Sequence, residues 1–97
     1  MSEPPRGPVP AADAGPLVFP TDFPIKIMGV NELEFEPQIV AIVRGHAPDL
    51  DDSSIEVRQS RGGKYLSLTI TVNAQSRVQL DAIYRALTGH PLVKVVL

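Results

Sequence analysis

The sequence contains no cysteine. Disulfides, thiolate nucleophiles, iron–sulfur clusters and zinc sites built on Cys are therefore excluded. Positive charge is also in short supply. Nine Lys and Arg stand against eleven Asp and Glu, a formal net charge of -2. A general binder of nucleic acid or of a membrane surface needs a basic excess, so neither partner is expected. No apolar run approaches the roughly 18 residues of a membrane span. The N-terminus lacks the basic start and apolar stretch of a signal peptide. A soluble, cytoplasmic protein is the expectation. At 97 residues the chain is long enough for one domain and too short for two. Its 43% hydrophobic and 21% charged residues are an ordinary globular mixture.

What is present is unevenly placed. Ten prolines occur, and Pro4, Pro5, Pro8, Pro10, Pro16 and Pro20 crowd the start. Almost no large apolar residue precedes Leu17. Such a segment cannot bury enough surface to offset its ordering entropy. Residues 1–18 are expected to form a disordered Pro-rich tail. Pro5 and Pro8 have PxxP spacing beside Arg6, a weak docking pattern. Residues 19–97 are expected to form the folded domain.

Ile25 and Ile27 alternate with Lys26 and Met28, which predicts a half-buried strand over 23–30. The next helix has two possible starts. Asn31 and Glu34 have capping-box spacing, but a helix begun there carries Pro37 inside it. A start at Pro37 avoids that cost, with Phe35 and Val40 at staple positions. Ile39, Val40, Ile42 and Val43 supply its apolar stripe, and Gly45 and Pro48 end it. Ile55 and Val57 mark a second strand. The third, 64–73, alternates most cleanly: Leu66, Leu68, Ile70 and Val72 face one way and Tyr65, Ser67, Thr69, Thr71 and Asn73 the other. Gly62 and Gly63 between the two runs signal a hairpin. Ser76 and Gln79 form a second capping box, followed by Leu80, Ile83, Tyr84 and Leu87 at helical spacing to about Thr88. A last strand is read over 92–97.

The order β-α-β-β-α-β is the ferredoxin-like pattern, an α+β fold. Right-handed crossovers place both helices on one face of a four-stranded antiparallel sheet. By parity the other, open face carries Lys26, Met28, Glu56, Arg58, Tyr65, Ser67, Thr69, Thr71, Lys94 and, with less support from the pattern, Val96.

The chain resembles the YbeD-like family, small bacterial proteins of uncharacterised function. The resemblance runs from Phe19-Pro20 through Phe23, Lys26 and Met28-Gly29, then His46-Ala47-Pro48. It is densest from Ser60 to Gly63 and through Tyr65, Ser67, Thr71, Asn73 and Ala74, and closes on Tyr84, Leu87 and Val96-Leu97. It implies a ferredoxin-like fold similar to ACT regulatory domains, and a cytoplasmic protein without known enzymatic activity. It also implies an association with lipoate metabolism, because relatives are often encoded near lipoate-attachment enzymes. Two features depart from the family pattern: the longer Pro-rich tail, and Pro37 where the family continues a helix.

The residues themselves offer little catalytic chemistry. His46 and His90 each lie at a helix C-terminal end beside a proline, which reads as capping favoured by the helix dipole. Asp49, Asp51 and Asp52 lack the Gly and distal Glu of a calcium loop and read as a solvated turn. Gly62 and Gly63 between Arg61 and Lys64 precede a strand, not a helix, so they read as a turn and not a phosphate cradle. No metal and no cofactor is expected. One aromatic, Tyr65, on the open face is too few for base stacking on RNA.

Two functions remain. The first is a non-enzymatic regulatory or protein-interaction module, acting through the open face or an edge strand. Its candidate surface is Lys26, Met28, Tyr65, Ser67, Thr69 and Thr71. The last strand, with Leu92, Val93, Val95, Val96 and Leu97 guarded only by Lys94, either packs inward or pairs with a protein partner or a second copy. The second is a sensor for an amino-acid-like small molecule at the first strand–helix junction, where Gly29 permits close approach and Asn31 and Glu32 offer polar contacts.

Overall fold

The first strand begins earlier than its alternation suggests, because the sheet extends past a proline. The computed structural model describes residues 17–97. The expected tail lies outside the described residues apart from Leu17, which packs partly buried on the core, and the exposed Val18. The elements are β1 (Thr21–Val30), α1 (Phe35–His46), β2 (Ile55–Gln59), β3 (Tyr65–Ala74), α2 (Arg77–Thr88) and β4 (Val93–Val96), with a single 3-10 turn at Asp52–Ser54. β1 therefore starts at Thr21 and not at Phe23. Pro24 is tolerated inside it for a geometric reason. The Lys26 N–H reaches Leu97 O and the Val30 N–H reaches Leu92 O, so even-numbered residues point toward β4. β4 ends level with Lys26, so the missing N–H of Pro24 faces no strand.

The strands run in the order β2-β3-β1-β4, every neighbouring pair antiparallel. This is the ferredoxin-like arrangement, with the two helices packed on one face of the sheet. The central ladder is the longest, from Thr21 opposite Ala74 to Val30 opposite Tyr65. Ile25, Ile27, Leu68, Ile70 and Val72 from the sheet meet Phe35, Ile39 and Val43 of α1 and Leu80, Ile83 and Leu87 of α2. Among the described residues none that is polar or charged is buried. The core is thus held by apolar burial alone, at roughly 1.5–3 kcal/mol per large side chain before chain entropy is set against it.

α1 starts at Phe35, two residues before the proline start. The Phe35 N–H closes a turn on Glu32 O at 3.0 Å, and the Gln38 N–H bonds four residues back to Glu34 O at 3.1 Å. Pro37 lies in the first turn, where a backbone N–H has no helical acceptor, so the early start costs no hydrogen bond. With Glu34 as the N-cap, Phe35 is the first helical residue and so does not hold the staple position, and its ring is fully buried. Gly45 lies inside the helix, which ends at His46.

A bulge between Met28 and Gly29 shifts the last ladder. Gly29 pairs with Val93, Met28 with Val95 and Ile27 with Val96. The extra residue reverses the parity expected for this strand. Val96 packs toward the core, and Val95 lies on the open face beside Met28.

Candidate functional site

The face of the sheet away from the helices is uncovered, and the register sets out its side chains in rows. Lys26 lies opposite Thr69, which lies opposite Glu56. Met28 is flanked by Ser67 on one side and Val95 on the other, and Ser67 is flanked by Arg58. Tyr65 faces Val30 and Thr71 faces Pro24. All six residues of the candidate surface, Lys26, Met28, Tyr65, Ser67, Thr69 and Thr71, share this face. Met28 and Tyr65 are exposed, and the hydroxyl residues between them are half-buried. A depression of about 160 Å³ lies over Met28, Arg58, Ser60, Tyr65 and Ser67. Two cations, Lys26 and Arg58, and two anions, Glu56 and Asp22, share the face with the hydroxyl rows.

The alternative site is built differently. Gly29 is buried, and a Cβ there would overlap the Phe35 ring and Leu92 O. The close approach it permits is that of the protein's own Phe35. Asn31 bridges to the β2–β3 hairpin: its side-chain amide donates to Gly63 O at 2.8 Å and its N–H to Lys64 O at 3.1 Å. Glu32 is exposed beside it. A recess of about 420 Å³ opens there, lined by Asn31, Glu32, Leu33, Glu36, Val57 and Gln59. Sequence reasoning missed a larger groove of about 750 Å³ on the outer flank of α1, lined by Pro37, Val40, Ala41, Gly45 and Ile55. It also missed that Leu33 and Val57 are exposed. A leucine among Asn31, Glu32 and Glu34 was the available signal.

The other polar clusters have local explanations. The hairpin glycines carry φ of 87° and 74°, the left-handed conformation that a tight turn needs. The Asp51 carboxylate accepts from the Ser53 N–H, and Asp52 pairs with Arg44 at 2.8 Å. His90 Nδ1 accepts from the Leu92 N–H, so its Nε2–H donates to Gln38 Oε1 at 2.8 Å and ties the α2–β4 turn to α1. Among the described residues no three His, Asp or Glu side chains come together as a metal site would require. Among those residues no helix is long and apolar enough to cross a membrane.

Residues 16–97 match the model of the family described as "Protein of unknown function (DUF493)". The chain belongs to this family. The resemblance read from Phe19-Pro20 through Val96-Leu97 is thereby shown. A UPF0250 protein of Paraburkholderia phytofirmans is 61% identical over 79 residues, covering 81% of this chain and 89% of the relative. One from Nitrosomonas europaea is 53% identical over 81 residues, covering 84% and 93%. Among solved structures, the ACT domain from GTP pyrophosphokinase of Chlorobium tepidum superposes with a TM-score of 0.55 at 17% identity, over 79% of this chain and 97% of that one. This DUF493 chain therefore shares an ACT-like fold, as the resemblance implied.

Proposed function

We propose that this chain is a non-enzymatic regulatory module that binds a protein partner through its open sheet face. The observation that carries the reading is the face itself. Met28, Val95 and Tyr65 give it apolar anchors, Ser67, Thr69 and Thr71 give it adaptable hydroxyls, and neither helix covers it. Met28, Tyr65 and the neighbouring Arg58 are of the residue types enriched at protein interfaces. Both histidines, the groups best suited to proton transfer near neutral pH, lie away from this face at helix ends. The ACT-like fold is supporting context, since its solved counterpart is a domain of a larger enzyme. Enzymes of lipoate metabolism are the first candidates for the partner, on the family association alone.

The test is capture from cell extract on the immobilised chain, compared with a Tyr65→Ala/Thr69→Ala chain. A partner retained by the first and lost from the second supports the assignment. Equal retention by a variant with native circular dichroism sinks it.

A second reading, a small-molecule sensor, is favoured by the recess at the β1–α1 junction. Asn31 and Glu32 would meet an ammonium or hydroxyl there, with Leu33 and Val57 against an apolar side chain. A melting-temperature rise with one free amino acid, abolished in Glu32→Ala, is the expected signature. A flat response across all amino acids removes this reading.

A further inference from the structure

We infer that the open sheet face takes an acidic segment of a partner protein, with one apolar side chain of that segment seated between Met28 and Tyr65. The inference deepens the open-face reading above and rests on it.

The seat is the depression over Met28, Arg58, Ser60, Tyr65 and Ser67. The register builds it. Met28 lies opposite Ser67, Ser67 lies opposite Arg58, and Ser60 bonds to Tyr65 at the end of the β2–β3 ladder. Ser67 is the short side chain of its row, so the surface dips there and its longer neighbours form walls. Tyr65, two residues along the same strand face, bounds the dip at the hairpin end. The lining is almost entirely carbon, so the methionine, the ring and the stem of Arg58 supply it while the charged groups stay at the rim. At about 160 Å³ the depression is smaller than the roughly 300–1,000 Å³ of small-molecule sites. It matches a single apolar side chain, the usual anchor of an interface hot spot.

The charge around the seat selects what flanks that anchor. The formal net charge of -2 is unevenly distributed. From Val57 to Leu80 the sequence holds no Asp or Glu, and Arg58, Arg61 and Lys64 fall within that stretch. Arg58 is at the rim, and Arg61 and Lys64 are exposed on the turn between Ser60 and Tyr65. Lys26 is the next residue of β1 on the same face as Met28. Among the described residues none of these cationic side chains has an ion pair or a hydrogen bond. The acids of the face lie farther from the turn. Glu56 is level with Thr69, and Asp22 is level with Asn73, whose side-chain amide donates to its carboxylate. The face is therefore basic toward the β2–β3 turn and acidic toward the start of β1. A segment with carboxylates on both sides of its apolar anchor meets unpaired cations at the rim, whereas a basic segment meets like charge. Nucleic acid fits less well. Tyr65 is the single outward-facing aromatic of these strands, and Asp22 and Glu56 repel phosphates.

The test is a nuclear magnetic resonance titration of the full, isotope-labelled chain with three peptides, to millimolar concentration. Their sequences are Glu-Asp-Leu-Asp-Glu, Glu-Asp-Ser-Asp-Glu and Lys-Lys-Leu-Lys-Lys, each acetylated and amidated. The first is expected to give saturable shifts centred on Met28, Ser67 and Tyr65. The serine peptide should bind at least about fivefold more weakly, because it lacks the anchor. The lysine peptide should give no saturable shift. Lys26→Glu should weaken the first peptide about fivefold while the spectrum stays native, since Lys26 is exposed. No saturable shift with the first peptide, equal binding of the serine or lysine peptide, or an unchanged affinity in Lys26→Glu overturns the inference. So does a single-stranded oligonucleotide that shifts these residues when the acidic peptide does not. The open-face reading fails or survives separately. A partner captured from extract, lost with Tyr65→Ala/Thr69→Ala but kept in full by Lys26→Glu, upholds that reading and overturns this one.

Discussion

β3 hands over to α2 through Gln75 and Ser76, and the junction is closed by its immediate neighbours. Ser76 is extended, its hydroxyl accepts from the Gln79 N–H at 3.1 Å, and the Gln79 side chain accepts in return from the Gln75 N–H at 2.6 Å. β1 hands over to α1 through residues 31–34 with no such device. Glu34 already has helical backbone angles and its side chain makes no cap. That junction is held instead by the Phe35 ring seated on Gly29 and by Asn31 reaching the distant hairpin. One helix start is specified within the five residues from Gln75 to Gln79, and the other by Phe35 packed on Gly29 and by Asn31 reaching a hairpin 32 residues away. A local device can be removed at modest cost because the rest of the helix remains packed. A packing device takes part of the core with it.

The comparison ranks a set of substitutions. Phe35→Ala should cost about 3–5 kcal/mol in a urea or thermal melt, because it empties a fully buried site between β1 and α1. Gly29→Ala should follow at about 1–3 kcal/mol or more, since one of the three atoms its Cβ meets, Leu92 O, is backbone and cannot swing aside. Ser76→Ala should cost only about 1 kcal/mol. If it proves as damaging as Phe35→Ala, the contrast between the two junctions is lost. The smallest effect belongs to Tyr84, half-buried between α2 and the end of β4. Burial pushes the Tyr84 phenol above the usual tyrosine value. The folded chain then holds this proton more tightly than the unfolded chain does. Its contribution to stability is complete below about pH 10 and declines as the pH rises through the folded value. Tyr84→Phe, which also removes the hydrogen bond to Leu97 O, should flatten that part of the alkaline stability curve. An unchanged slope would show that other groups set it.

The same contrast explains what could be read from the residues. The hairpin, the Ser76 box and the alternation from Tyr65 to Ala74 are local patterns, and the whole β-α-β-β-α-β order followed from them. The start of α1 did not, because a proline is harmless anywhere in a first turn and the deciding contact, Phe35 on Gly29, is tertiary. The early start of β1 depended on how far β4 runs alongside it. The candidate surface was legible by parity wherever the ladder is regular, which placed Lys26, Met28, Tyr65, Ser67, Thr69 and Thr71 together. Parity failed only at the Met28–Gly29 bulge, where one unpaired residue exchanged Val95 for Val96. The exposure of Val57 depends on the reach of α1, which no spacing records.

The strand order has a consequence for how the chain is assembled. β1 and β2 come from its first half, β3 and β4 from its second, and each ladder joins one half to the other. A chain divided at Gly62-Gly63 leaves two β-α-β pieces with no strand pairing inside either. Neither piece has a sheet to nucleate on, yet together they hold every ladder. The domain is in effect an interleaved pair of complementary fragments, and folding and fragment recognition become the same event.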